Sequence, residues 1–316
     1  MAFIPTLSVL TSVYRGEDYL RSFFEELSTQ TIFPELELLL VLNDPSSKEA
    51  QLVKDFASHN PEHVQVLIVP TPETLGASWN RAWRAARAPY LALWNVDDRR
   101  MVDSLQRQLD TLEQNPEAVL CYGDYVNVTQ YGQEDGLRRH TPPYHVGHFR
   151  RAFAQGGAFW LFRREVAAQT GYFDEQFRVG ADMEYSFRLA ARGLGMVRSE
   201  GLLGFFTNTA QGLSTRQGAK ESAVEATAIQ LRYGVFDKIR REYLEEARKM
   251  RLNAIKNADA WIPLTNYLPQ HASLVKKREP LWAIGSMRNI GRNALQRIGL
   301  LSLLHNLQGK YLKRDI

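Results

Sequence analysis

The chain is poor in the features that would place it quickly. It has one cysteine, Cys121, in 316 residues, which excludes a disulfide framework and a Cys-rich metal site. The segment Ala118-Val119-Leu120 before it predicts a buried strand thiol with no reactive role. No run approaches the roughly 18 apolar residues of a membrane span, and no basic segment precedes an apolar one near Met1, so neither a transmembrane helix nor a signal peptide is predicted. G-x-x-x-x-G-K-[ST], G-x-G-x-x-G after a strand, H-E-x-x-H, paired C-x-x-C and G-x-S-x-G are all missing. Their absence removes the support for P-loop, dinucleotide, zinc-hydrolase and serine-esterase chemistry. A strong overall charge is lacking too. The net charge is +4, and Lys276 to Ile316 alone holds nine Lys or Arg against two acids. The preceding body is therefore slightly acidic and no nucleic-acid partner is expected; an anionic partner would dock on the tail.

What is present is ordinary soluble composition, 44% hydrophobic and 23% charged, with a strong strand–helix alternation. Runs at Leu7–Thr11, Leu36–Leu42, Val64–Val69 and Tyr90–Trp94 read as strands, and the last shows no polar alternation, as expected of a strand covered on both faces. Helical spacing fills residues 17–30, 47–58 and 76–87 between them. That order predicts a parallel sheet with crossover helices, and parallel strands open their C-terminal ends on one edge, where α/β sheets bind ligands. Ser12 and Tyr14, Asn43 and Asp44, Gly76, and Asp97 and Asp98 should converge there. At the fourth strand five apolar residues run into Asn95-Val96-Asp97-Asp98. Two acids at a strand tip suit a hard divalent cation with substrate phosphates; they also suit a helix cap.

Further on, 101–114 reads as a helix, 119–126 as a strand, and 130–146 as a mobile loop over the site. Residues 158–163 read as a strand after Gly156-Gly157, a pair that lets backbone approach a ligand or simply turn. Phe159 and Trp160 are either core or a stacking surface for a sugar. Residues 181–192 form a helix closed by Gly193, with Asp182 in its first turn.

These pieces resemble family 2 glycosyltransferases, inverting enzymes of the GT-A fold. Ser8–Tyr14 is similar to their opening strand; Val41-Leu42-Asn43-Asp44-Pro45-Ser46-Ser47 to their "VDDGS" segment; Asn95-Val96-Asp97-Asp98 to their "DxDD" strand end. Phe173-Asp174-Glu175 with Asp182 and Arg188-Leu189 is similar to "GFDE…ED…RL". The resemblance covers about residues 5–215. It implies a Rossmann-like, mostly parallel sheet flanked by helices (GT-A domain 1–218) and a C-terminal helical extension (219–316). It implies Asp182 as catalytic base, Asp98 and Asp97 as ligands of Mg²⁺ or Mn²⁺, and Ser12, Tyr14, Asp44, Gly76, Asn80 and Asp97 around the nucleotide. The implied reaction is metal-dependent hexosyl or hexosaminyl transfer from a nucleotide-sugar, UDP-linked foremost, to a glycan or lipid-linked acceptor in polysaccharide or glycoconjugate synthesis. Departures are Asn95 for an acid, Ala181 for Glu, Arg15 for Asn, and Thr207-Asn208-Thr209 where some members carry a His ligand. Asn95 and Ala181 motivate the alternative of a catalytically inactive module that binds nucleotide or glycan. A nucleotidyltransferase would carry a Gly-rich basic loop after the first strand, and Ser12–Gly16 does not resemble one.

In the last third, residues 219–257 read as helical with a break near Gly234. From Trp282 to Leu312 apolar residues recur at helical spacing, with Arg288 and Arg292 on another side. Such a helix either lies on an anionic membrane surface or packs on the body or a twin subunit of a homo-oligomer. The expected location is cytoplasmic, with the inner face of the membrane as the peripheral option.

Overall fold

Four strands made of mostly apolar runs build the centre of the molecule. In a computed structural model that describes residues 3–146, 157–209, 220–235 and 239–273, β1 (Leu7–Val13), β2 (Leu36–Asn43), β3 (Val64–Val69) and β4 (Tyr90–Leu93) lie parallel in the order β3-β2-β1-β4. Every residue of β1 and β2 is buried, because both faces are covered. Leu10, Leu39, Val41, Leu91 and Leu93 point into one apolar core. Leu7, Val9, Leu38, Leu40 and Trp94 point into the other.

Each helix presents one apolar stripe to these faces. On the second face lie α1 (Leu20–Thr29), α2 (Ser47–His59) and, after the short β5 (Arg99–Arg100), α4 (Ser104–Glu113). Ser46 starts α2 with a reciprocal capping box to Glu49. On the first face α3 (Leu75–Ala85), capped by Thr74, buries Trp79 and Trp83.

The sheet continues as β4-β8-β6-β9-β5. Here β6 is Ala118–Val128, β7 Leu137–Arg139, β8 Leu161–Arg163 and β9 Gly195–Thr207. Strand β8 is antiparallel to β4 and β6, β9 is parallel to β6, and β7 hangs antiparallel on β6. The expected mobile loop at 130–146 is thus partly sheet. It is also tied down: buried Asp124 accepts hydrogen bonds from the Thr141 N–H at 2.9 Å and His140 Nδ1 at 2.8 Å, and pairs with Arg198 Nη2 at 2.7 Å. Phe159 in a turn and Trp160 just before β8 are both buried, so they are core rather than a sugar-stacking surface.

Helix α5 (Ala181–Arg192) ends at Gly193 with φ 77°, the left-handed cap expected. Beyond it, α6 (Lys220–Tyr233) packs into the same core through Ala228, Ile229 and Tyr233, as do Ile255, Leu264 and Leu268. Packing is therefore continuous across the division drawn at 218/219. The helical reading of 219–257 holds for α6, but Ala254–Asn257 is a strand paired antiparallel with Ala260–Pro263. The helix expected at 282–312, with its membrane or partner reading, lies outside the described residues. Among those described, no helix is long and apolar enough to cross a membrane.

Candidate active site

The parallel register does bring the strand-tip residues to one edge. Ser12 stands beside Val41 on β2, and Leu10 beside Leu93 on β4, so the segments that follow leave the sheet side by side. Ser12 is buried at the tip of β1, while Tyr14 is 43% exposed and carries the Arg15 guanidinium over its ring at 5.1 Å. Arg15 and Asp44 both adopt positive φ, 54° and 53°. Non-glycine residues rarely hold that conformation, and it clusters where backbone is shaped for function. The loops are braced from beneath: buried Glu49 accepts from the Gly16 N–H at 2.6 Å. Asn43 exchanges hydrogen bonds with the Glu73 backbone.

Next to β1, Asp98 is almost fully buried. Its Oδ1 accepts from the Thr207 N–H at 3.0 Å and its Oδ2 from Asn95 Nδ2 at 3.2 Å. Burial, then the charge of Asp97, holds Asp98 well above the ordinary carboxylate value, and burial raises Asp97 too. The buried Arg100 guanidinium also faces Asp98; burial lowers its pKa to about 9, so it stays cationic at neutral pH. Among the described residues no three His, Cys, Asp or Glu gather as a metal cage. The donor set nevertheless fits a hard cation. Besides two carboxylates, Asn95 Oδ1 and Thr207 Oγ1 are buried here without a hydrogen-bond partner, and oxygen donors near paired acids are what Mg²⁺ and Mn²⁺ accept.

Asp182 is built with equal care from another direction. It occupies the first turn of α5, and its Oδ1 accepts from the Met183 N–H at 2.7 Å. The turn Gly157–Phe159 presses against it. A Cβ on Gly157 would lie 2.4 Å from Asp182 Oδ2, so only glycine allows this approach. The close partner of that backbone is thus a carboxylate of the chain itself. Burial raises the Asp182 pKa, and the N–H groups of Met183 and Gly157 oppose the rise. The helix start is fixed by Glu225 of α6, which accepts from the N–H groups of Arg178, Val179 and Gly180 at 2.8–2.9 Å.

Tyr125 joins the two acidic centres. Its ring lies 5.6 Å from Phe159, in the turn that touches Asp182, and 6.1 Å from Phe206, beside Thr207. Its phenol is raised by burial and feels Arg139, Asp182 and Asp98.

Two of the residues expected around the nucleotide make close contacts within the chain. Asn80 is fully buried, and both its amide hydrogens are spent on Phe173 O and Glu175 Oε1, so it holds the Phe173-Asp174-Glu175 loop and has no donor left for a ligand. Gly76 is a packing position: a Cβ there would come 3.2 Å from Ala181 Cβ. Gly157, Glu225 and Tyr125 were missed in sequence. The glycine pair was visible, but its partner is 25 positions away.

Among solved structures, the chain is similar to S. aureus TarS 1-349, described in complexes with UDP and with UDP-GlcNAc. For the UDP-GlcNAc complex the TM-score is 0.60 at 14% identity, over 89% of this chain and 79% of that one. That is a likeness of fold, and it agrees with the expected GT-A arrangement. Curated relatives include the O-antigen biosynthesis protein RfbC of Myxococcus xanthus, 30% identical over 61% of this chain, and the putative glycosyltransferase EpsH of Bacillus subtilis, 26% identical over 51%. The match spans 16% of the first relative's length and 48% of the second's. The glycosyl transferase family 2 model matches residues 8–171, just over half of the chain, which therefore belongs to that family.

Proposed function

We propose that the protein is an inverting glycosyltransferase that moves a sugar from a nucleotide-sugar, a UDP-sugar first, to a hydroxyl of a glycan or lipid-linked acceptor in glycan synthesis. One arrangement carries the reading: the Tyr125 ring packs on Phe159, in the turn that touches Asp182, and on Phe206, next to Thr207, whose N–H is held by Asp98 at the β4 tip. The TarS complexes with UDP and UDP-GlcNAc support the choice of donor.

In this reading the acceptor O–H gives its proton to the Asp182 carboxylate as its oxygen bonds to the anomeric carbon. The bond from that carbon to the diphosphate oxygen breaks on the opposite side, which inverts the centre and leaves a nucleoside diphosphate. Asp98 and Asp97, with Asn95 Oδ1 beside them, would hold Mg²⁺ or Mn²⁺, whose chemistry is Lewis-acid stabilisation of the leaving diphosphate. Ser12, Tyr14 and Asp44 would border the nucleoside at the β1 and β2 tips.

The test is a thermal-shift series with UDP, GDP, dTDP and CMP, with and without Mn²⁺, followed by turnover of the matching sugars. One nucleotide should stabilise the protein in a manganese-dependent way. Asp182→Asn should keep that shift and lose about 10²- to 10⁴-fold in turnover. Unchanged turnover removes Asp182 from the mechanism. The neutral Asn95 favours a second reading, a binding module without catalysis; a nucleotide shift with no turnover of any donor would select it.

A further inference from the structure

Three basic residues follow one another at Arg138, Arg139 and His140, and strand alternation separates them. Arg138 stands opposite Val126 on β6. It shares a face with Asp124, which it meets at 3.6 Å, while His140 Nδ1 reaches the same carboxylate at 2.8 Å. Arg139 stands opposite Tyr125, and residues directly opposed in an antiparallel pair project to the same face. The middle cation therefore faces the reaction side and its two neighbours face away.

Arg139 is also the one left without a counter-charge. Its Nε and Nη2 donate to the Asn127 side-chain oxygen at 2.9 and 3.3 Å once that amide is oriented to accept them. Among the described residues no carboxylate pairs with it, and it remains exposed. A neutral amide orients the guanidinium without quenching its charge. The ring opposite, Tyr125, packs on the Gly157–Phe159 turn that touches Asp182. The sheet order also separates the two sides of the site. Strands β2 and β1, whose tips would border the nucleoside, lie on one side of β4; β6 and its partner β7 lie on the other.

We propose that Arg139 receives an anionic group of the acceptor, a phosphate or a carboxylate, and so selects acidic acceptors over neutral sugars. This rests on the glycosyltransferase reading with Asp182 as base. A planar guanidinium suits either oxyanion, because both offer two oxygens to its fork of donors.

The test uses the full chain saturated with UDP and Mn²⁺, which fills the diphosphate site. Binding of methyl β-glucoside, methyl β-glucuronide and glucose 6-phosphate is measured by titration. The wild type should favour at least one anionic ligand over the neutral glucoside by about tenfold, the scale of a charge-assisted hydrogen bond; which one wins separates carboxylate from phosphate. Arg139→Gln should abolish the preference, Arg139→Lys should keep part of it, and Arg138→Gln, on the other face, should leave it intact. Equal binding of all three ligands by the wild type overturns the proposal, as does a preference that survives Arg139→Gln. Weaker UDP binding in Arg139→Gln with the preference unchanged would move Arg139 to the donor. Absence of any nucleotide binding would sink the glycosyltransferase reading itself, and this proposal with it. Nucleotide binding without an acidic preference sinks only this one.

Discussion

The placement of the Asp182 carboxylate depends on a residue with no side chain. Gly157 sits so close that a methyl group would overlap Oδ2 at 2.4 Å, Cβ at 2.5 Å and Cγ at 2.8 Å of Asp182, and neither backbone nor the first helical turn can yield cheaply. Gly157→Ala should therefore misplace the carboxylate and reduce turnover about 10²-fold, the cost of a small error in catalytic geometry, while the nucleotide thermal shift persists. Full turnover in that variant would mean that the approach is incidental. Burial raises the Asp182 pKa, and in the proposed mechanism this carboxylate accepts the proton only when ionised. The acidic limb of kcat/KM in the wild type should thus lie above the ordinary aspartate range near 4. At this scale the sequence was partly legible. Asp182, Asp97 and Asp98 stand out because acids border apolar segments. Gly157 and Arg139 do not, since one needs a partner distant in the chain and the other needs the register of β7 on β6.

Among the elements, the long strands and helices were readable and the excursion after β6 was not. Mostly apolar runs mark β1 to β4, although β3 proves half-exposed with Ile68 at the surface, and helical spacing marks α1 to α5, because burial writes itself into local pattern. Residues 130–146 looked mobile because Gly, Pro and charge dominate there. The order comes instead from one buried acid on the neighbouring strand β6: Asp124 gathers Thr141, His140, Arg198 and Arg138, and a three-residue strand, Leu137–Arg139, is too short to show a period. Burial pushes the Asp124 carboxyl up, but the Arg198, Thr141 and His140 hydrogen bonds outweigh it and bring the pKa to about 2. A depressed carboxylate pKa stabilises the fold above its unfolded value near 4, and that contribution fades as pH falls toward 2. Asp124→Asn should accordingly cost about 2 kcal/mol at neutral pH. The gap from wild type in urea unfolding should shrink between pH 4 and pH 2. A gap independent of pH would show that the charge of Asp124 is not what holds the excursion.

For the whole molecule the decisive feature is the seam between the family-like body and residues 220–273. The family resemblance placed a boundary near 218, and local pattern could not show that α6 completes the core. Its charged groups do the most specific part. Arg232, fully buried, pairs with Asp174 at 2.8 Å and Glu184 at 2.9 Å, and Glu184 also pairs with buried Arg188. Two acids of the Phe173–Arg188 segment thus share two arginines, one of them supplied by α6. Arg232 Nη2 also donates to Arg251 O and Ala254 O, so the hairpin is drawn into the same knot. Removing one member of a buried ionic group leaves uncompensated charge, at a cost of about 3–5 kcal/mol. Arg232→Met should show that loss in urea unfolding of the full chain, and a chain cut after residue 218 should fail to unfold cooperatively at all. The same cut removes Glu225 from the start of α5, so any folded remnant should lose turnover more severely than nucleotide binding. Cooperative unfolding of residues 1–218 with turnover intact would instead make the division at 218 a true domain boundary, and Asp182 would owe its position to its own half of the chain.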